Sequence, residues 1–578
     1  MAARARAAIF PCMLPRDAAR VLEQIADLLE LRGENRFKTA AYRAAARALL
    51  AVRTGDLAAA LEHGTLAGVK GIGPSTMAIV AELAATGSSA LHEQLSEDTP
   101  EGLLEMLRVP GLGTAKIRAI HAGLGVDSLH DLEAAARDGR LAALPRFGAK
   151  TAQKISRGIA YLRETSEFML YPHARTEGER LLAEVRRIPG VARAELAGSI
   201  RRRCPIVRDI DIVAACTRPG AEVAGELARG AGVRDAMGVG GAAVALRYED
   251  GTRLDLYCVA PDEFAEAWWR ATGSEAHLRE FAARTDPAAP TIAPDGAPAD
   301  AAIYARRIGY YVEPELREGR GECSLPGRRA PELIAGADIR GALHCHSNYS
   351  DGANSIREMA TGARARGWSY LGISDHSQSA AYAGGLTREQ VRRQHEEIDR
   401  VQAEFPDLRI LKGIEADILA DGRVDYDTAL LDRFDYVIAS VHSRFSMDER
   451  AMTDRVLRAL EDPHVSILGH PTGRLLLTRE PYAIDMPAVL ARAGTLGVAV
   501  ELNADPHRLD LDWTLCRTAK DLGCLIEIGP DAHAVAGLDN MAFGVGIARK
   551  GWLAPRDVLN ARSADEVLAH ARLRRTQA

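Results

Sequence analysis

The chain has 578 residues, 47% hydrophobic and 26% charged, with a formal net charge of −6. That length predicts three or four domains with real cores, and the charge excludes a globally basic nucleic-acid binder, so DNA contact must come from local patches or oriented backbone groups. The 8 cysteines are scattered without a CxxC, no run approaches a transmembrane span, and the first fifteen residues hold no apolar stretch of signal-peptide length. A cytoplasmic enzyme without a disulfide framework or membrane contact is expected.

Three segments of the first half share one form: Val69-Lys70-Gly71-Ile72-Gly73-Pro-Ser-Thr-Met-Ala, Val109-Pro110-Gly111-Leu112-Gly113-Thr-Ala-Lys116-Ile-Arg and Leu144-Pro145-Arg146-Phe147-Gly148-Ala-Lys150-Thr-Ala-Gln-Lys154-Ile. Each reads as a helix, a tight turn and a second helix with small residues facing its partner. Glycine permits the turn and lets a phosphate approach, while the following helix aims its free N–H groups at that phosphate. This helix-hairpin-helix pattern holds DNA backbone without reading bases. It nominates Gly71, Gly73, Gly111 and Gly113 as DNA-binding positions. One such turn alone is commonly a plain αα corner, but the three recur at a spacing of roughly 35 to 40 residues. The third has Arg146 where its first glycine would stand and is assigned to packing.

Next come Leu196-Ala-Gly198-Ser199-Ile-Arg201-Arg202-Arg203, Asp209-Ile-Asp211-Ile-Val213 and Arg253-Leu-Asp255-Leu. Side chains alternate along a strand, so Asp209 and Asp211 share a face, and Asp255 on another apolar strand completes the set. Three carboxylates at one spot can bind two Mg²⁺ ions, which with Ser199 and Arg202 can hold a nucleotide triphosphate for in-line attack by a hydroxyl.

In the second half a short apolar run ends seven times in a residue able to bind a metal. The runs are Gly341-Ala-Leu-His344-Cys-His346, Tyr370-Leu-Gly-Ile-Ser-Asp375-His376, Arg409-Ile-Leu-Lys-Gly-Ile-Glu415, Tyr436-Val-Ile-Ala-Ser-Val-His442, Ser466-Ile-Leu-Gly-His470, Gly497-Val-Ala-Val-Glu501-Leu-Asn503 and Leu525-Ile-Glu-Ile-Gly-Pro-Asp531-Ala-His533. Helical periodicity lies between them, which is the rhythm of repeated βα units and predicts a parallel barrel. Polar residues at the carboxyl ends of barrel strands converge on one place. The convergent set is His344, His346, Asp351, His376, Glu415, His442, His470, Asp531 and His533. Imidazole and carboxylate without thiolate suit Zn, Mn or Fe, and so many donors exceed the needs of one tetrahedral ion, implying two or three. Such a cluster fits phosphoester hydrolysis.

These residues resemble a PHP (polymerase and histidinol phosphatase) domain over about residues 338 to 570. His344-Cys-His346-Ser-Asn-Tyr-Ser350-Asp351-Gly352 matches its opening HxHxxxSDG pattern; Ser374-Asp375-His376, Ser440-Val-His442-Ser443, Gly469-His470-Pro-Thr-Gly-Arg474 and Asp531-Ala-His533 match later ones. The resemblance implies Mn or Zn at the nine ligand positions, an orienting or charge-balancing Asp375, and Arg474 and Arg508 as holders of the phosphate.

The order of the parts resembles the bacterial form of the X family of DNA polymerases, which joins a polymerase beta-like core to a PHP domain. Glu30-Leu-Arg-Gly-Glu-Asn-Arg-Phe37-Lys38-Thr-Ala-Ala-Tyr42-Arg43 is similar to the family's amino-terminal eight-kilodalton domain, and Tyr311-Val-Glu-Pro314-Glu-Leu-Arg317-Glu-Gly-Arg320-Gly to the segment closing its thumb. By this resemblance the fold is multidomain α/β. Helical helix-hairpin-helix domains are expected over 1–95 and 96–165, the second fingers-like, then a nucleotidyltransferase α+β palm over 166–260 and a thumb over 261–322. A linker over 323–337 and a distorted (β/α)7 PHP barrel over 338–578 complete it. The implied function is repair: gap-filling polymerisation with Mg or Mn on gapped or primer-template DNA and deoxynucleoside triphosphates, plus 3′–5′ exonuclease or 3′-end phosphoesterase action in the barrel, by a monomer.

Several positions depart from the polymerase pattern. Arg208 replaces the glycine before the aspartate pair and can pair with those aspartates. In Arg270-Ala271-Thr272-Gly273-Ser274-Glu-Ala-His277-Leu278 the aromatic pair expected against the incoming sugar is missing, and Leu278 stands in place of an asparagine. Gly273 remains as a nucleotide-binding position. Asp286-Pro-Ala-Ala-Pro-Thr-Ile-Ala-Pro-Asp-Gly-Ala-Pro reads as a loop, not as thumb strands. Ile79 aligns with the Schiff-base lysine of members with 5′-deoxyribose phosphate lyase activity, so that activity is expected to be absent. The alternatives are a phosphoesterase for a small phosphorylated metabolite, a non-catalytic DNA scaffold, and a DNA-end nuclease whose polymerase half is only a clamp.

Overall fold

The structure, a computed structural model, describes every residue except 1–14, 51–56, 67, 70, 231, 239–242, 285–297 and 578. Lys70 and the Pro- and Ala-rich stretch 286–297 therefore lie outside the described residues. The chain divides into two compact units, Met1–Glu167 and Phe168–Ala578.

The first unit is helical throughout its described length. Helices Pro15–Leu31 and Arg36–Leu50 bury apolar stripes around Leu22, Ile25, Leu29, Leu49 and Leu83, and a second core gathers Met106, Ile117, Ile120, Leu132 and Ile155. Ile79 belongs to the first core, at 8% exposure.

Among the described residues the second unit carries all the strands. β1 (Met169–Leu170) pairs with β3 (Ile206–Val207) in a short antiparallel ribbon. β2 (Val191–Leu196), β4 (Ile210–Cys216), β5 (Val233–Met237), β6 (Ala243–Tyr248) and β7 (Arg253–Val259) form a mixed sheet in the order β2-β4-β7-β6-β5. Alternation along β7, with Leu254, Leu256 and Cys258 buried and the intervening side chains half-buried, leaves one face to the core and the other to a cleft. The parallel pairing of β4 with β7 sets Asp211 opposite Asp255.

Helices Phe264–Thr272, Glu275–Ala282 and Ala301–Arg307 follow, packed around Trp269, Phe281 and Tyr304; no strand occurs among the described residues of this segment. The stretch expected as a linker is built into the barrel: Ile334 is fully buried and its N–H donates to the Leu553 carbonyl at 2.8 Å.

Then β8 (Gly341–Ala342), β9 (Tyr370–Ile373), β10 (Arg409–Asp417), β11 (Tyr436–Ser440), β12 (Val465–Leu468), β13 (Ala499–Asn503) and β14 (Ile526–Gly529) run parallel, each hydrogen-bonded to the next. The residues of β9 and of β11 to β14 are buried throughout, as expected of strands covered on both faces. The ring closes just past the strand ends, where Cys345 bridges Ala532 and the His346 N–H donates to the Ala532 carbonyl at 2.9 Å. That closure brings the first and last metal-binding runs side by side.

Candidate functional site

All nine expected ligands meet at the carboxyl end of the barrel. Three donor groups lie within coordination reach: His344, His346 and Asp531; His376, Glu415 and His442; and His346, Asp351, His376 and His533. His470 joins the second through contacts of its Nε2 with Glu415 Oε1 at 3.0 Å and His442 Nε2 at 3.2 Å. His346 and His376 each belong to two groups, so the ion positions would be adjacent.

The residues fit divalent metal ions by a test independent of motif. His344 Nε2, His346 Nδ1 and His470 Nδ1 are buried without a hydrogen bond, and other atoms of the cluster crowd together without a well-formed one, His376 Nδ1 2.9 Å from Glu415 Oε2 and His346 Nε2 3.2 Å from Asp531 Oδ1. Buried polar atoms are ordinarily satisfied, and ligand atoms packed this closely without well-formed bonds are explained by ions they would share. Without ions, the crowded charges hold the imidazoles of the cluster far from their ordinary value, in opposite directions. Burial, then the neighbouring His533 and His376, pull His346 down to about 3. Burial also opposes charge on His376, but Glu415 and Asp351 outweigh it and hold that imidazole up at about 10. Asp531 adopts a left-handed backbone with φ of 48°, a conformation costly for a residue with a Cβ and often retained at functional sites.

Sequence reasoning missed the groups behind the ligands. Glu501 Oε1 lies 2.5 Å from His344 Nδ1, and Glu501 also accepts the His470 backbone N–H. Asp417 Oδ1 is 2.7 Å from His442 Nδ1. Such carboxylates fix the tautomer and orientation of a metal-binding imidazole. Both were within reach of the pattern: Glu501 ends one of the seven runs, and Asp417 follows Glu415 by two, hence on the same face of β10. Asp375, by contrast, is expected to orient its neighbours and not to bind metal; it accepts from Ser347 N at 2.7 Å, Ser347 Oγ and Ser350 Oγ at 2.5 Å each and Gln394 Nε2 at 2.6 Å, ordering the loop that carries His346 and Asp351.

The two expected phosphate-holding arginines separate. Arg508 Nε stands 3.6 Å from Asp531 Oδ2, at the cluster. Arg474 does not serve the site. Its Nε donates to the Arg508 carbonyl at 2.9 Å, and its other nitrogens to Leu509 O and Asp512, so each nitrogen of its guanidinium holds the loop that presents Arg508.

In the mixed sheet, Asp211 is pushed up to about 8 by burial and by the like charges of Asp209 and Asp255, and Asp255 is raised by burial and Asp209. Three carboxylates this close need a counter-charge, which fits divalent metal. Gly198, at φ 55°, must be glycine: a Cβ there would come within 1.7 Å of Asp211 Oδ2. Ser199 Oγ is buried without a partner beside it. Arg202 is held, not free: its Nε donates to Glu318 Oε1 at 2.9 Å and a terminal nitrogen donates to the Thr272 carbonyl at 2.8 Å. Arg208 Nε is 3.4 Å from Asp209 Oδ2. Gly273 ends helix Phe264–Thr272, and Leu278 packs with the Trp269 and Tyr304 cluster.

In the helical unit, Gly73 and Gly113 sit at the starts of helices Pro74–Thr86 and Thr114–Leu124 with no atom within 4 Å of where a Cβ would stand, which leaves room for a phosphate. Gly71 and Gly111 take φ of 106° and 78°; Arg146 adopts 73° at the equivalent place, so the third turn keeps the shape without the glycine.

Residues 13–89 match the helix-hairpin-helix domain family, 103–160 the SAM-like helix-hairpin-helix tandem and 342–484 the PHP domain. The chain is 36% identical over 570 residues, 96% of its length and 99% of the relative's, to the DNA polymerase/3′-5′ exonuclease PolX of Bacillus subtilis. The chain belongs to the PolX family. A stretch covering 37% of the chain is also similar to 94% of a solved histidinol phosphate phosphatase from Lactococcus lactis complexed with zinc, L-histidinol and phosphate, at 18% identity and a TM-score of 0.30. Among the described residues no helix is long and apolar enough to cross a membrane, and seven cysteines are free thiols.

Proposed function

We propose that this PolX-family chain is a DNA repair enzyme that fills gaps with its mixed-sheet palm and trims 3′ ends with its barrel. The observation that carries the reading is the complete nine-residue donor set in a chain that also holds helix-hairpin-helix turns and a three-aspartate palm. A small-molecule phosphatase has no use for DNA-backbone turns.

Bound divalent ions, Mn or Zn in the barrel and Mg or Mn in the palm, would supply an activated oxygen nucleophile and neutralise phosphate charge. The chain's own residues do the rest. Glu501 and Asp417 hold Nδ1 of His344 and His442, aiming their Nε2 atoms inward. Arg508 adds a fixed positive charge beside Asp531 for a phosphate oxygen. In the palm, Ser199 offers its unpartnered hydroxyl to a triphosphate, and the partners are gapped or primer-template DNA and deoxynucleoside triphosphates, bound by a monomer. With Arg270, Ala271 and Leu278 in place of the sugar- and base-positioning groups, incorporation is slow and discriminates poorly between deoxy- and ribonucleotides.

A second reading, a DNA-end nuclease whose palm is only a clamp, has specific contacts behind it: Arg208 on Asp209 and Glu318 on Arg202. The test is Mn²⁺-dependent shortening of a 5′-labelled single strand. His344→Ala with His346→Ala should abolish it while leaving DNA affinity nearly unchanged; shortening at the wild-type rate would remove the nuclease assignment from the barrel.

A further inference from the structure

Tyr382 stands at the mouth of the barrel site, and no part of the metal chemistry uses it. Its ring centroid is 6.2 Å from those of both His376 and His442, two imidazoles of one donor group. It is 71% exposed, and among the described residues of the barrel it is the only strongly exposed Tyr, Phe or Trp.

The exposure is built, not incidental. The short helical turn Ala381–Ala383 that carries the ring is tied down on every side. Ala380 and Leu386 are fully buried and Ala383 is 4% exposed. The Leu386 N–H donates to the His376 carbonyl at 2.9 Å, the Gly385 N–H to the Ala380 carbonyl at 3.1 Å and the Ser379 N–H to Asp425 Oδ2 at 2.8 Å. Tyr426 adds a hydroxyl bond to the Leu386 carbonyl. The anchored loop thus presents an aromatic ring to solvent 6.2 Å from two imidazoles of the cluster.

We propose that Tyr382 is a nucleobase-binding platform: it stacks on the base of the 3′-terminal nucleotide while the metal-binding residues engage the adjoining phosphodiester. Stacking tolerates any base, because every base has a π-face, and requires that the base be unpaired. The site would then take unpaired 3′ ends in preference to small phosphate esters. This deepens the nuclease reading and rests on it.

The test uses the full chain with Mn²⁺ and single-stranded oligonucleotides ending at the 3′ side either in a normal nucleotide or in an abasic tetrahydrofuran. Tyr382→Ala should raise KM about tenfold on the base-bearing end, with kcat little changed, and leave the abasic end unaffected; Tyr382→Phe should behave as wild type. Equal loss on both ends would mean that the ring only supports its loop, and no loss on either would mean that it contacts nothing; both overturn the proposal. If wild type shortens neither strand but hydrolyses glycerol phosphate, the nuclease reading has failed. Stacking is then read separately, from quenching of a 3′-terminal 2-aminopurine by wild type and by Tyr382→Phe but not by Tyr382→Ala, and absence of that quenching overturns it as well.

Discussion

Glu318 Oε1 accepts from Arg202 Nε at 2.9 Å, and the same oxygen pairs with Lys550, a barrel residue. Lys550 is 1% exposed and lies 4.6 Å from the Trp513 ring centroid, and its Nζ also donates to the Arg202 carbonyl at 3.2 Å. One carboxylate therefore neutralises the arginine expected to meet the triphosphate and a buried lysine of the other catalytic region. Next to it, Glu315 bonds Arg549 at 2.7 Å and reaches Arg203 at 3.5 Å.

Removing that carboxylate leaves two buried cations facing each other. Glu318→Gln should cost about 3 kcal/mol, read as a lower thermal midpoint, because the partners of a broken buried ion pair cannot regain water. Adding Lys550→Met should recover part of the loss, since the two residues share one network. Strict additivity of the two changes would show that Lys550 is not held by Glu318.

Glu501→Gln keeps the shape of the side chain and removes its charge from His344. We expect the Mn²⁺ concentration for half-maximal shortening to rise about tenfold to a hundredfold, the usual scale for groups that orient metal-binding imidazoles. An unchanged Mn²⁺ requirement would show that His344 needs no orienting carboxylate.

The palm should respond to pH through Asp211. Burial and the like charges of Asp209 and Asp255 raise its pKa to about 8, so below that pH the ion-free site holds a proton that a metal must displace. Apparent Mg²⁺ affinity in nucleotide incorporation should therefore fall as pH drops below about 8, approaching tenfold per pH unit, and level off above it. A metal requirement flat from pH 6.5 to 8.5 would contradict this.

Arg208 opposes the same ion. Arg208→Gly should strengthen Mg²⁺ binding in the palm only severalfold, because the pair with Asp209 spans 3.4 Å and the arginine is half exposed. A weaker metal dependence in wild type than in the variant would mean that Arg208 assists the site.

The convergence of the nine expected ligands is legible in the sequence because strand-end polar residues follow buried apolar runs, and barrel topology alone brings them together. The aspartates of the palm are legible because Asp211 and Asp255 fall opposite each other on paired strands, with Asp209 one residue before β4. Arg474 is misread because a motif position does not say whether a guanidinium faces the cleft or the loop behind it. The pairing of Arg202 with Glu318 spans 116 residues of sequence, and no local pattern announces it. Tyr382 is invisible for another reason: exposure depends on the anchoring of its loop.

DNA contact by the hairpin turns should be indifferent to sequence. Replacing Gly71 and Gly111 by bulkier residues must strain their left-handed backbones, and a Cβ at Gly71 would press on the Ala44 carbonyl at 3.0 Å. Binding should weaken alike for all sequences and fall with salt in wild type. A loss confined to particular sequences would mean that these turns read bases.

The claim that two separate sites act on one primer is tested most directly with a 5′-labelled primer on gapped DNA and Mn²⁺, with and without nucleotides. Wild type should extend the primer slowly when nucleotides are present and shorten it when they are absent. Asp209→Ala with Asp211→Ala should lose extension and keep shortening, and His344→Ala with His346→Ala should do the reverse. Loss of both activities in either double variant, or extension that survives loss of the aspartates, would contradict the account.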